Sequence, residues 1–516
     1  MTVETTSDLK VLLTAAEAYP AFEALMLDAR EEVSMSFRIF DPATELQSER
    51  AREIGSDWFD LVADTLARGV DLRIVLSDFD PAGRPALHRQ AWRSARRLFA
   101  AAEASGRPEG LTLRVALHPA KVGWLPRFLF WPKSHAELRK TVLQIEAMGD
   151  AERDRALAEM PYIAALTVAR DEGLRLRRWP PPPLFPASHH QKLAVVDRRT
   201  LYIGGLDLDD RRYDTPVHNR PAPETWHDIQ LIVDGPVADA AARHLDEFLG
   251  VVAGRVRPSQ HGRIVRTLSS RRGSAAIWPV GPRMVLGEIR EAHERLIQDA
   301  KKLIYLETQF LRDRRLARSL AEAARANPEL RMIAMVPAAP EDVAFEGQTS
   351  SDQRLGEYLH SVCVDILRDA FGPRFFIGSP AQRRQRQDDE EGTRRLGEAP
   401  IIYVHAKVSI FDDQAAIVSS ANLNGRSLGW DTEAGIVLDR HADVELLRRR
   451  CFAHWLPPGA GDDFFALDTA LDTWRGLAEE NAEREPERRA GFLLPHPVEP
   501  ARRFGRPLPI VPEAMV

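Results

Sequence analysis

Apolar and polar positions along this chain fall into short blocks whose period switches between that of a strand and that of a helix. Glu32 to Phe40 (EVSMSFRIF) and Asp71 to Leu76 (DLRIVL) read as strands, and Asp57 to Arg68 between them spaces its apolar residues as an amphipathic helix does. The same succession returns at Lys302 to Phe310 (KLIYLETQF), Leu316 to Ala326 and Glu329 to Val336 (ELRMIAMV). Each set is followed by three further apolar strands and a closing helix, Val237 to Leu249 in one case and Ala442 to Trp455 in the other. A layout written twice predicts an internal duplication, and strands alternating with helices predict α/β layering with a helix-covered sheet in each half.

The pattern divides the chain into a first half, residues 1–275, a second half, 276–478, and a charged, proline-rich tail, 479–516. The first half carries an insertion at about 118–186, containing the aromatic run Gly123 to Pro132 (GWLPRFLFWP) and the prolines Pro180 to Pro183. Trp124, Phe128, Phe130 and Trp131, interleaved with Arg127 and Lys133, either pack on the body or enter a lipid headgroup layer. The prolines form a stiff connector, and Gln382 to Arg395 in the second half a solvated polar loop.

At 516 residues the chain exceeds one ordinary domain, and 44% hydrophobic content supplies enough apolar side chain for large cores. A net charge of -6 argues against a general nucleic-acid binder. Cys363 and Cys451 alone build neither a disulfide framework nor a cysteine zinc site. The sequence shows no signal peptide pattern and no apolar run long enough to span a bilayer. The expectation is a soluble, cytoplasmic monomer, with export by a dedicated secretion system open.

The chemistry concentrates at His190-Gln191-Lys192 through Asp197 and at His405-Ala406-Lys407 through Asp412, both of the form H-x-K-x(4)-D. With 15 His and eight Lys in the chain, chance would supply roughly 0.02 such matches. On a strand, His and Lys two apart share a face. The register continues downstream: Asp207 and Asn422 stand at the same interval from their histidines, beside Gly204-Gly205 and Ser419-Ser420. Trp226-His227-Asp228 and Asp431-Thr432-Glu433 each bring a carboxylate before a third strand, where Asp228 and Glu433 could orient a catalytic imidazole. Asp197 and Asp412, at the far end of the motif strands, read as structural. Asp207, Asp209, Asp210 and Asp214 read as a hydrogen-bonded loop rather than a metal site.

These two motifs resemble those of the phospholipase D superfamily, in which a pair on one chain forms a single active site. Gly204-Gly205-Leu206-Asp207-Leu208, Arg212 to Pro216 and Trp226-His227-Asp228-Ile229 are similar to the phosphatidylcholine-hydrolysing type. So are Tyr305 to Phe310 and Ser419 to Ser427 in the second half. The resemblance implies two α/β sandwich halves related by pseudo-twofold symmetry. It implies His190 as nucleophile and His405 as general acid, then base. Lys192, Lys407 and Asn422 would hold the phosphoryl oxygens, Asp207 would complete the catalytic set, and Gly205 and Ser420 would contact substrate, while Glu307 and Gln309 on their strand either line the substrate pocket or serve plain strand roles.

Two His and two Lys can neutralise a phosphodiester, attack phosphorus and protonate the leaving oxygen. No metal and no cofactor is therefore expected. The expected substrate is a glycerophospholipid, met by transient contact with a membrane surface and cleaved to phosphatidic acid, with a primary alcohol competing with water. A nuclease or other phosphodiesterase is the alternative within the superfamily, and an inactive lipid-binding protein the alternative outside catalysis.

Overall fold

The computed structural model describes residues 9–170, 173–273, 277–345, 350–387, 390, 394–509 and 511–515. Strands β1 (Leu9–Leu13), β2 (Glu32–Phe37), β3 (Asp71–Ser77) and β4 (Leu111–Ala116) open the first half. After the small hairpin β5 (Thr167–Arg170) and β6 (Gly173–Leu176) come β7 (Leu193–Val196), β8 (Thr200–Gly204) and β9 (Ile229–Asp234). The second half continues with β10 (Ile264–Ser270), β11 (Arg283–Gly287), β12 (Leu303–Thr308), β13 (Arg331–Met335) and β14 (Phe375–Pro380). A two-residue pair, β15 (Arg395–Leu396) and β16 (Ala399–Pro400), precedes β17 (Lys407–Phe411), β18 (Ala415–Ser419), β19 (Glu433–Leu438) and β20 (Leu493–Pro495).

Seven strands form one sheet in the order β1-β9-β8-β7-β2-β3-β4, and nine form the other in the order β11-β10-β19-β18-β17-β12-β13-β14-β20. The run β9-β8-β7-β2-β3-β4 repeats as β19-β18-β17-β12-β13-β14, with parallel pairing confined to the last three strands of each run. The α/β duplication is thus realised strand for strand. Helices Trp58–Ala67 and Arg314–Ala326 occupy equivalent crossovers, the first capped by the Asp57 carboxylate and the second by that of Asp313. Helices Thr14–Asp28 and Glu288–Asp299, which the sequence reading passes over, precede β2 and β12.

Strand pairing adjusts the divisions drawn from sequence. β10 pairs with β19 and so belongs to the second sheet, ahead of a boundary at 275. The segment after 479 adds β20 to the edge of β14, held by the Asn481 amide on the Ala490 and Leu493 carbonyls. Of the polar insertion Gln382 to Arg395, residues 388–389 and 391–393 lie outside the described residues.

One apolar core runs through both halves, joining Leu193, Val195 and Ile203 of the first sheet to Val404, Val408 and Val418 of the second. β7 and β17 are buried along their whole length, as expected of central strands covered on both faces. The starts of the two motif strands therefore meet at this shared seam.

Candidate active site

Each motif strand is fixed in register by its terminal aspartate. Asp412 accepts the backbone N–H groups of Lys301, Lys302 and Leu303 at 2.7, 2.8 and 2.7 Å. Asp197 does the same for Arg30, Glu31 and Glu32 at 3.0, 2.8 and 3.0 Å. Both sit in the left-handed region, φ 50° and 54°, which Asp tolerates better than most residues. Each carboxylate ties the end of its motif strand to the start of its neighbour.

The two motif histidines are oriented crosswise. His190 Nδ1 lies 3.0 Å from a Glu433 oxygen, and His405 Nδ1 lies 2.5 Å from Asp228 Oδ2. The backbone crosses too: His190 N–H donates to the Thr432 carbonyl and His405 N–H to the His227 carbonyl, both at 2.8 Å. Each half therefore supplies the carboxylate for the imidazole of the other. With Nδ1 engaged, Nε2 of each ring is the nitrogen available to the cavity that both histidines line.

The positions at Gly205 and Ser420 serve these carboxylates rather than the cavity, in contrast to the substrate contacts the resemblance implies. A Cβ on Gly205 would stand 2.1 Å from Asp228 Oδ1, so only glycine lets that carboxylate approach. At the equivalent position, Ser420 Oγ donates to Glu433 Oε2 at 2.5 Å. Asp207 also faces inward: its Oδ1 accepts the Ile39 N–H at 2.9 Å, and its Oδ2 lies 3.8 Å from Lys192 and 3.9 Å from Arg38. It balances the cations behind the site, while Asn422, its uncharged counterpart, lines the cavity.

Lys192 and Lys407 lie beneath the rings, each donating to the carbonyl of its own motif histidine. Lys407 Nζ also stands 2.8 Å from His405 Nδ1. Burial pushes the Lys407 ammonium down to about 7 and lowers Lys192 as well. Burial, reinforced by Lys192, Arg38, Lys407 and Arg426, holds His190 well below the ordinary imidazole range. His405 is lowered by burial and then by Lys407, Arg212 and Lys192. Burial pushes Glu433 up to about 8, with Asp431 adding to the effect, and raises Asp228. Both rings are held in the neutral form near pH 7.

The cavity has a volume of about 520 Å³. Gln309 reaches it, but Glu307 does not: that carboxylate is buried against His227, with Tyr305 donating to it at 3.0 Å. Arginines to which sequence reasoning gave no role, Arg38, Arg212 and Arg426 among them, join the lining. Arg212 stacks 3.6 Å from the Trp226 ring and pairs with Glu341 at 3.1 Å, and Trp226 in turn lies 4.5 Å from the His405 ring. Arg426 pairs with Asp431 at 2.9 Å. The duplication itself could have found Arg38. Asp197 and Asp412 receive their backbone bonds from equivalent points on β2 and β12, which sets Glu32 against Leu303 and hence Arg38 against Gln309. The acidic loop residues disperse to local roles: Asp209 accepts from Arg211 N–H, Asp210 from Glu45 N–H, and Asp214 holds His218.

Two imidazole–carboxylate pairs, crossed between like halves over one cation-lined cavity, are the arrangement the paired motifs require. A family model described as a cardiolipin synthase, PLD-like domain, matches residues 294–455, which include the second motif, and curated phospholipases D match 58–62% of the chain. The chain is similar to the phospholipase D superfamily. It is 25% identical over 398 residues to phospholipase D1 of Schizosaccharomyces pombe, covering 58% of this chain and 29% of that protein. Phospholipase D beta 1 of Arabidopsis thaliana is 24% identical over 470 residues, covering 62% of this chain and 43% of its own length. The chain thus spans less than half the length of these relatives. Among solved structures, phosphatidylserine synthase of Haemophilus influenzae aligns at 13% identity with a TM-score of 0.48, covering 86% of this chain and 84% of that one.

Proposed function

We propose that the protein is a phospholipase D-type phosphodiesterase that cleaves the head-group phosphodiester of glycerophospholipids. The reading rests on the reciprocal pairing of His190 with Glu433 and His405 with Asp228 at one cavity. His190 Nε2 attacks phosphorus to form a phosphohistidine, and His405 donates its Nε2 proton to the departing head-group oxygen. The neutral His405 then takes a proton from water, whose oxygen replaces His190 on phosphorus and leaves phosphatidic acid. A primary alcohol in place of water gives the exchanged phospholipid. Glu433 and Asp228 fix the orientation of the rings, and Asp228 stabilises the imidazolium form of His405. The entering phosphodiester anion offsets the charge of Lys192, Lys407 and Arg212 that depresses His405, so the ring protonates as substrate binds.

An exposed apolar face supports a lipid substrate. Helix Trp124–Glu146 turns Trp124, Phe128 and Leu129 to solvent, the last 70% exposed, and Trp179 and Trp278 nearby are exposed as well. The helix start is tied to the second half by Gly123 and Leu125 N–H bonds to the Pro279 and Ile277 carbonyls. Val122, just before it, donates to Leu184 in the segment leading to His190. Aromatic and apolar side chains in a contiguous exposed patch suit the headgroup region of a bilayer. Among the described residues no helix is long and apolar enough to cross a membrane.

The test is turnover of labelled phosphatidylcholine vesicles with ethanol present. Phosphatidic acid together with phosphatidylethanol is the expected product pair. Cleavage of nucleic acid with no phospholipid product would overturn the lipid assignment and leave a nuclease of the same site chemistry.

A further inference from the structure

Behind the active site, three imidazoles from distant points of the chain converge. His218 and His227 belong to the first half and His454 ends helix His441–Trp455 of the second, and one nitrogen from each lies within 4.8 Å of the others. His218 and His227 are wholly buried. We propose that these three side chains bind a divalent transition metal, zinc foremost, as a structural ion separate from the phosphodiester chemistry.

Four observations carry the assignment. First, His218 Nδ1 lies 2.6 Å from Asp214 Oδ2, which leaves its Nε2 as the ligand nitrogen, 2.8 Å from His454 Nε2. A ligand histidine held by a carboxylate on its other nitrogen is the usual outer support of a metal site. Second, Glu307 provides the same support for His227, and Tyr305 holds Glu307 in turn. Third, among the described residues Nδ1 of His227, the nitrogen left free by Glu307, has no hydrogen-bond partner although the ring is buried. An orphaned buried imidazole nitrogen asks for a partner. Fourth, His218 is held at a positive φ of 47°, backbone strain that bulky residues adopt where a site over-determines them. Three imidazoles, with soft thiolates absent from the set, match zinc, nickel or copper better than calcium or magnesium. A tetrahedral zinc site separates its ligand nitrogens by about 3.3 Å, so His218 and His454 need part only slightly to admit the ion.

The ion would act as a clasp. His227 directly precedes Asp228, its backbone N–H donates to the Tyr403 carbonyl, and its own carbonyl accepts from His405. Fixing His227 to His454 would therefore lock the joint between the halves one residue from the carboxylate that orients His405. Asp228 itself is left outside the coordination set.

The test is metal analysis of the full chain purified from zinc-supplemented medium, independent of any lipase assay. About one zinc per chain is expected, with replacement by cobalt giving the visible absorption of a low-coordinate nitrogen site. Chelation should lower the melting temperature, and returning zinc should restore it. His454→Ala, at the half-buried end of a helix, should fold and lose the ion, and Asp214→Asn should weaken zinc binding about 10- to 100-fold. Metal-free protein whose melting temperature is unmoved by added zinc or cobalt would overturn the proposal. So would undiminished cobalt absorption in His454→Ala.

Discussion

Replacing Asp228 by Asn removes one negative charge while keeping the shape of the side chain. Asp228 is buried, accepts from His405 at 2.5 Å through Oδ2 and from the Ile229 N–H at 2.9 Å through Oδ1. The amide can still take the Ile229 bond, so the fold should survive. What is lost is the anionic partner of the imidazolium. A hydrogen bond to a charged group is worth about 1.5–3 kcal/mol, and about 1.4 kcal/mol is a tenfold change in rate. Asp228→Asn should thus lower kcat by about 10- to 150-fold. The sign of the pH effect follows from the same charge. Without the carboxylate the protonated ring is less stable, its pKa falls further, and the loss should deepen as pH rises between about 5 and 8. The assay is initial-rate hydrolysis of labelled phosphatidylcholine, with thermal unfolding as the control for structure. Gly205→Ala makes the comparison sharper, since its Cβ would collide with Asp228 Oδ1 and displace the carboxylate without removing charge. Wild-type turnover in both variants across the pH range would refute the claim that Asp228 positions the acid.

Other outcomes follow from the same geometry. His190→Ala and His405→Ala should each abolish turnover while unfolding cooperatively, and adding Glu433→Ala to His190→Ala should cost almost nothing more, since the pair acts as a unit. Because burial brings Lys407 to about 7, the free enzyme loses an anion-binding charge as pH rises through that value. kcat/KM should fall there, kcat should fall only at higher pH because bound phosphate keeps the ammonium charged, and Lys407→Arg should remove the limb. Asp412→Ala strips three backbone N–H groups of their acceptor and should cost about 3 kcal/mol in denaturant titration. Trp124→Ala with Phe128→Ala should raise the apparent KM on vesicles far more than on a monomeric short-chain substrate.

The strands and the doubled layout were legible because their cause is local. β7, β17 and their neighbours are short, apolar and buried, and period alone marks such segments. Site contacts were less so. The bonds that pair His405 with Asp228 and His190 with Glu433 span 177 and 243 residues, and no spacing rule assigns a partner at that range. Arg38 escaped for a smaller reason. Setting EVSMSFRIF against KLIYLETQF end to end puts Phe40 opposite Phe310, whereas in the fold Phe40 bridges Leu208 and Leu311 bridges Leu423. The true register is one residue away, and one residue exchanges the faces of a strand. Glu307 failed for a related reason: β12 ends at Thr308, so its alternation does not carry on to Gln309, and the carboxylate stays in the interior with His227.

The exchange of carboxylates between halves makes catalytic geometry and inter-half cohesion the same property. Neither half, produced alone, would contain a motif histidine with its own carboxylate; mixing two inert fragments should restore turnover only to the extent that they dock. By the same token, substitutions that loosen the seam at Val195 and Val418, which carry no charge and do not line the cavity, would detune both acid and nucleophile together, and heat should silence turnover before it melts the sheets.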